Sequence, residues 1–68
     1  LELEAERARL QKEIASVEAL VGRIEAKLAN EQFISRAPAH VVEKERANLA
    51  EQRDRLIRLR RQLDDIGS

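Results

Sequence analysis

The sequence predicts an all-α fold, an antiparallel two-helix coiled-coil hairpin, from three observations. Glu, Arg, Ala, Leu, Gln and Lys dominate the 68 residues, and this composition is typical of long helices. Apolar residues recur at alternating steps of three and four in two runs, as they do along the apolar seam of a coiled coil. One short break separates the runs, and a connection this short makes the two helices antiparallel neighbours.

The first helix is predicted over about residues 2–29. From Leu10 onward its apolar residues follow heptad spacing, in which successive apolar residues alternate between positions d and a. We assign Arg7, Ile14, Val21 and Leu28 to position a, and Leu3, Leu10, Val17 and Ile24 to position d.

A turn is predicted over about residues 30–37. Asn30 tolerates the left-handed backbone that often ends a helix, and Pro38 suits the first turn of the next helix. Phe33, the single aromatic residue, is predicted at the tip of the hairpin. Its structural interpretation, a plug that closes the tip by contacting Leu28 and Val41, is favoured over stacking on an unpaired base.

The second helix is predicted over about residues 38–66. Its position a residues are all apolar, but two of its position d residues are polar and weaken the seam. The assignment is Val42, Leu49, Leu56 and Leu63 at position a, and Glu45, Gln52, Leu59 and Ile66 at position d. An isolated hairpin with such a seam is marginally stable and could gain stability by dimerising.

The heptads also predict how the two helices pair. Each d residue of the first helix is expected to meet an a residue of the second, and charged residues beside the seam are expected to form ion pairs that contribute about 0 to 1 kcal/mol each. The expected apolar contacts are Leu3 with Leu63, Leu10 with Leu56, Val17 with Leu49 and Ile24 with Val42, and the expected ion pairs are Glu4–Arg60, Glu13–Arg55 and Glu18–Arg46.

Composition argues against catalysis and against a membrane. A chain of 68 residues buries too little surface to enclose a substrate pocket, and it has no cysteine and a single histidine, His40, so no catalytic, cofactor or metal site is predicted. The first residues resemble no signal peptide, and no apolar run approaches the roughly 18 residues of a membrane span. Because the chain begins with Leu1 rather than Met, we expect a soluble fragment of a larger protein.

Charge is balanced overall but concentrated locally. Thirteen basic and thirteen acidic residues cancel, yet Arg46 to Arg61 hold six arginines against Glu51 and Asp54, a local net charge of +4. Arginines along a helix can bind nucleic-acid phosphates. From this stripe alone, a solvated helix face is the favoured interpretation.

The turn and its flanks carry a family resemblance. The segments Lys27-Leu28-Ala29-Asn30-Glu31-Gln32-Phe33, Arg36-Ala37-Pro38, Val41-Val42-Glu43-Lys44-Glu45-Arg46 and the following Leu49 resemble the C-terminal coiled-coil arm of bacterial valyl-tRNA synthetases. The resemblance implies an accessory arm that contacts the outer corner of valine tRNA. It further implies a cytoplasmic parent ligase whose other domains use ATP with Mg²⁺, and these domains are absent here.

The resemblance implies that the basic residues bind tRNA phosphates, because an arm that contacts tRNA needs such contacts. Two patches are candidates. One lies towards the open end of the hairpin, opposite the turn, and the other lies at the tip, beside the turn. Near the open end the preferred contacts are Arg53, Arg58 and Arg61, which lack a predicted ion pair, with Arg9 and Lys12 nearby on the first helix. The tip patch comprises Lys27, Arg36 and Lys44.

Two other functions fit a helical hairpin. The first is a structural coiled coil that mediates self-association or holds domains apart, which the polar seam positions mildly favour. The second is the C-terminal hairpin of a translation-associated ABC ATPase, which lacks the detailed match at the turn.

Overall fold

The computed structural model describes residues 2–67, and they form three helices joined by very short connections. Helix α1 spans Glu2–Ala29, α2 spans Glu31–Arg36 and α3 spans Ala39–Gly67. No strand occurs among the described residues, so the all-α prediction is confirmed. The molecule is a rod of 51 × 14 × 14 Å, in which α1 and α3 pack along each other and α2 lies against α1.

The connection differs from the predicted turn over residues 30–37, because most of it is the short helix α2. Asn30 does not adopt the left-handed backbone expected of it: its φ of −82° and ψ of 110° are extended. Its side-chain oxygen accepts a hydrogen bond from the backbone N–H of Gln32 at 3.0 Å. Asn30 therefore starts α2 as an N-cap residue, which is a common use of asparagine because its side chain supplies the missing acceptor.

Helix α2 ends because a proline follows. The ring of Pro38 disfavours helical backbone at the preceding residue, and Ala37 accordingly has a φ of −74° and a ψ of 142°. The N–H of Ala37 still donates to the carbonyl of Phe33 at 2.8 Å. The carbonyl of Pro38 then accepts the N–H of Val42 at 3.3 Å, which starts α3 one residue after the proline.

Within residues 2–67, seven apolar side chains are buried, and every one of them lies at a seam position that the spacing predicts. Leu10 is fully buried at 0% exposure. Burying a leucine or valine side chain stabilises a fold by about 1.5 to 3 kcal/mol. The seven residues are Leu10, Val17, Val21, Ile24, Val42, Leu56 and Leu59.

Two of the three predicted ion pairs are wrong. Glu18 binds Arg60, with 2.6 Å between Oε2 and Nη2, whereas Arg46 was its expected partner and Glu4 was the expected partner of Arg60. Arg46 instead binds Glu43 on its own helix at 3.2 Å. The third predicted pair, Glu13 with Arg55, is confirmed at 3.8 Å.

The observed pairs displace α3 by about one heptad from the predicted register. The four interhelical pairs, Glu13–Arg55, Glu18–Arg60, Glu25–Arg53 and Lys27–Glu45, together place Val17 nearer the level of Leu56 than that of Leu49. The displacement accompanies α2: because residues 31–36 form a helix, the connection is centred near Ala37 and Pro38 instead of on Phe33.

The consequence of this displacement is seen at the end of the rod opposite α2. Leu3 was expected to pack on Leu63 but remains 65% exposed. In the observed register its level lies beyond Gly67, the last residue of α3. Leu3 therefore has no seam partner among the described residues, although its heptad position is the same as that of the buried Leu10.

Candidate nucleic-acid interface

Three of the eight basic residues predicted to bind tRNA are already paired with carboxylates. Arg53, expected to be unpaired, holds Glu25 at 2.5 Å, so that expectation is wrong. Lys27 lies 3.8 Å from Glu45 on α3. Arg9 is the third, with two carboxylate partners on its own helix. The neighbouring carboxylates offset part of the positive charge that a phosphate would meet at these side chains.

Arg9 shows how strongly such local pairing acts. The hydrogen bond that its guanidinium donates to Glu6 raises the pKa of Arg9 above its ordinary value, and the charges of Glu6 and Glu13 raise it further. The Nη1 atom of Arg9 lies 2.5 Å from Oε1 of Glu13. Both carboxylates come from the same face of α1, one turn before and one turn after Arg9. The ion pairs of Arg9 therefore lie entirely within α1.

The other five predicted contacts are exposed and form no ion pair within residues 2–67. Two further basic side chains, Arg7 and Arg23, are in the same state, although neither was predicted to bind tRNA. The signal that points to Arg23 is its heptad position, c, which Lys44 and Arg58 share on α3. The five predicted residues are Lys12, Arg36, Lys44, Arg58 and Arg61.

The tip brings together an aromatic ring, a cation and polar groups. The Nζ atom of Lys27 lies 5.1 Å from the centre of the half-buried Phe33 ring, a cation–π contact. Lys27 thereby links Phe33 of α2 to Glu45 of α3. On the outer side, Phe33 lines a shallow cleft with Asn30, Gln32, Arg36 and Ala37. That Phe33 also packs on Leu28 and Val41 stays a prediction.

These geometries support binding of a polyanion by charge. In the described part of the chain no three His, Cys, Asp or Glu side chains are grouped to hold a metal ion, and His40 is exposed. None of the helices within residues 2–67 has the length and apolarity needed to cross a membrane. Exposed guanidinium and ammonium groups lie on the helices, and such groups bind phosphate oxygens well.

Comparison with known proteins decides the family. Residues 2–67 match the family model described as the valyl tRNA synthetase tRNA binding arm. The chain belongs to this family. The match covers all three helices, so the resemblance first seen around the turn extends along both long helices of this tRNA-binding arm.

Individual relatives agree with the family match. The chain is 54% identical over 54 residues to a valine–tRNA ligase of Mesorhizobium japonicum, covering 79% of the chain and 6% of the relative. It is 44% identical over 67 residues to that of Chlorobaculum tepidum, covering 98% of the chain and 7% of the relative. It is 41% identical over 68 residues to that of Syntrophotalea carbinolica, covering 100% of the chain and 8% of the relative. The chain therefore spans less than a tenth of these ligases, and no solved structure matches it significantly.

Proposed function

We propose that the chain is the non-catalytic tRNA-binding accessory arm of a valine–tRNA ligase, and that it contacts the outer corner of valine tRNA. The observation that carries this proposal is the match to the tRNA-binding-arm family over residues 2–67. The 51 Å rod agrees with it, because a long narrow rod can reach a part of the tRNA far from a catalytic centre.

The proposed architecture is an antiparallel coiled-coil hairpin that forms one unit of a larger enzyme. The order of the interhelical ion pairs supports this arrangement. In three of the four interhelical pairs within residues 2–67, from Glu18 through Glu25 to Lys27 on α1, the partners on α3 run backwards, from Arg60 through Arg53 to Glu45. The small share of the relatives' length that the chain spans supports the larger enzyme.

We propose that the arm holds tRNA by phosphate contacts and by shape, without reading base edges. Seven exposed basic side chains without a carboxylate partner in residues 2–67 support this mode, because neutralising phosphates releases counterions and favours binding. The predicted contacts with carboxylate partners, Arg9, Lys27 and Arg53, would contribute less because those carboxylates offset part of their positive charge.

Chemistry is assigned to the rest of the proposed ligase. In this proposal, cytoplasmic domains outside the chain activate valine with ATP and Mg²⁺ and transfer it to tRNA. The arm raises the affinity for tRNA and leaves the chemical step unchanged. The arm acts by holding the tRNA body while its acceptor end reaches those domains.

Of the other two functions, the ABC ATPase hairpin is not favoured, because the family match and the relatives are valyl-tRNA synthetase arms and valine–tRNA ligases. Self-association of the isolated arm stays a prediction. The exposed Leu3 and Ile57, at 65% and 54%, are the apolar groups among residues 2–67 that a second copy would cover. Sedimentation of the isolated chain over a range of concentrations tests it, and a monomer at all concentrations would contradict it.

The test of the proposed function compares the full-length ligase with a version that lacks residues 2–67. Titrations of valine tRNA at two salt concentrations measure affinity, and valine-dependent ATP exchange measures the chemistry of the other domains. We expect weaker tRNA binding, a shallower salt dependence and unchanged ATP exchange in the shortened enzyme. Equal tRNA affinity in low salt would overturn the proposal in favour of a structural coiled coil.

A further inference from the structure

We infer that the tRNA backbone lies along one lateral face of the arm, marked by Arg23, Lys44 and Arg58, and that the opposite lateral face points away from the RNA. This inference rests on the proposed function and adds the orientation of the arm. We call the side of Arg23, Lys44 and Arg58 the open face. We call the side that carries the Glu18–Arg60 and Glu25–Arg53 pairs the closed face.

Helix geometry separates the two faces. Successive residues of a helix turn by about 100°, so positions e and b lie on one side of the buried a and d seam, and positions g and c lie on the other. Glu18, Glu25, Arg53 and Arg60 are all e residues, and their pairs join the helices on the closed face. Arg23, Lys44 and Arg58 are all c residues, which puts them on the open face.

The arginines of the closed face are already neutralised. Arg53 and Arg60 each hold a carboxylate of α1 at 2.5 and 2.6 Å, and Arg46 holds Glu43 at 3.2 Å. This face also carries more acidic than basic residues at its e and b positions. Its acidic residues are Glu4, Glu18, Glu25, Glu43 and Asp64. A phosphate that approached this face would meet a net negative charge at these positions, because the acidic residues outnumber the basic ones.

The open face carries both paired and unpaired cations, and its paired cations are Arg9, Lys27 and Arg55. Arg23, Lys44 and Arg58 are exposed and form no ion pair with other described residues. Lys44 and Arg58 are separated by about 21 Å along α3, at 1.5 Å per residue. The pairs of Glu25 with Arg53 and of Lys27 with Glu45 place Arg23 at a level between them. The three cations therefore form a row along the rod, which suits the repeated phosphates of one RNA strand.

The two faces provide a charge-matched experiment in the full-length ligase. The open-face variant is Arg23→Gln, Lys44→Gln and Arg58→Gln, and the closed-face variant is Arg46→Gln, Arg53→Gln and Arg60→Gln. Each variant removes three positive charges from exposed positions. We expect the open-face variant to bind valine tRNA about tenfold more weakly at moderate salt and to reduce the salt slope by about 2 to 3. The closed-face variant should stay within about twofold of the unmodified enzyme.

A third variant controls for folding and for charge. Arg23→Lys, Lys44→Arg and Arg58→Lys keep all three charges, so we expect this variant to retain most of the affinity that the open-face variant loses, because lysine also binds phosphate as a point charge. If the charge-keeping variant binds normally while the open-face variant binds weakly, the loss comes from charge. Weak binding by both would show that these side chains act through structure, and would overturn the inference.

The outcomes separate this inference from the proposed function. If removal of residues 2–67 weakens tRNA binding but the closed-face variant loses as much affinity as the open-face variant, or more, the orientation is wrong and the proposed function stands. The same conclusion follows if neither variant loses affinity. If removal of residues 2–67 leaves affinity unchanged, the proposed function itself fails.

Discussion

The middle of the rod and its tip are held together by different forces. In the middle, Leu10, Val17, Val21, Leu56 and Leu59 form one buried cluster, and burial of apolar surface supplies the stability. At the tip no side chain of α2 is buried. That region depends on the cap of Asn30, the proline after Ala37 and the contact of Lys27 with Phe33. Damage to the middle should therefore unfold the whole arm, whereas damage to the tip should loosen it locally.

The largest effect is expected in the middle, from Leu10→Ala. This side chain is fully buried at 0% exposure, and truncating a buried leucine destabilises a fold by about 2 to 5 kcal/mol. Thermal unfolding of the 68-residue chain, followed by circular dichroism at one fixed concentration, measures the loss. Leu3→Ala is the matched control, because Leu3 has the same heptad position but is 65% exposed. A loss of stability in Leu3→Ala equal to that in Leu10→Ala would restore the predicted register.

The next effect concerns the tip, through Phe33→Ala. Loss of the half-buried ring removes the cation–π partner of Lys27 and should destabilise the tip by about 1 to 2 kcal/mol. We expect faster amide hydrogen exchange in α2 with little change in the exchange of α1 near Leu10. Phe33→Tyr keeps the aromatic face and should preserve protection. Unchanged amide exchange in Phe33→Ala would show that the ring does not stabilise the tip.

A smaller effect at the tip is expected from Asn30→Ala. The substitution removes the acceptor for the Gln32 N–H and should destabilise α2 by about 1 kcal/mol. Hydrogen exchange at the Gln32 amide measures the change directly. Asn30→Asp keeps an acceptor in the same place and should behave like the unmodified chain. Normal protection in Asn30→Ala would show that the cap is dispensable.

The smallest effect is a gain, from Gly22→Ala in α1. A Cβ atom built on Gly22 meets nothing within 4 Å, and its φ is not positive. Alanine should stabilise the helix by about 0.5 to 1 kcal/mol, because glycine loses more backbone freedom on folding. A rise in melting temperature checks this. Gly22 is a position b residue of the closed face, so tRNA affinity should stay unchanged. A drop in affinity would count against the inferred orientation.

The sequence predicted the long helices and the seam well because both depend on short-range spacing. Each buried residue within 2–67 lies at a predicted a or d position, since the period of a helix is a local property of the chain. The role of Asn30 was missed although a signal was present. Asparagine followed by Glu31, Gln32 and Phe33 also suits the start of a helix, but only its end was considered.

The candidate interface was predicted less well, because it depends on which carboxylate each cation meets. Arg53 was expected to be unpaired, and Arg23 was not selected at all. The first error follows from the assumed register, since the register decides which glutamate lies beside each arginine. Arg23 lacked an ion-pair partner in the predicted register as well, and it was left out because it belongs to neither predicted patch. A displacement of one heptad keeps every apolar residue on the seam. The apolar pattern therefore does not distinguish the predicted register from the observed one.

The amino-acid sequence by itself determined the all-helical fold, the seam and the places where the long helices begin and end. Only the tertiary structure decided the register, because the length of the connection sets it and α2 occupies that connection. The register in turn leaves Leu3 exposed, pairs Arg53 with Glu25 and leaves Arg58 without an ion-pair partner in residues 2–67. Local spacing specifies which residues face the partner helix, whereas the geometry of the connection specifies which residue they meet there.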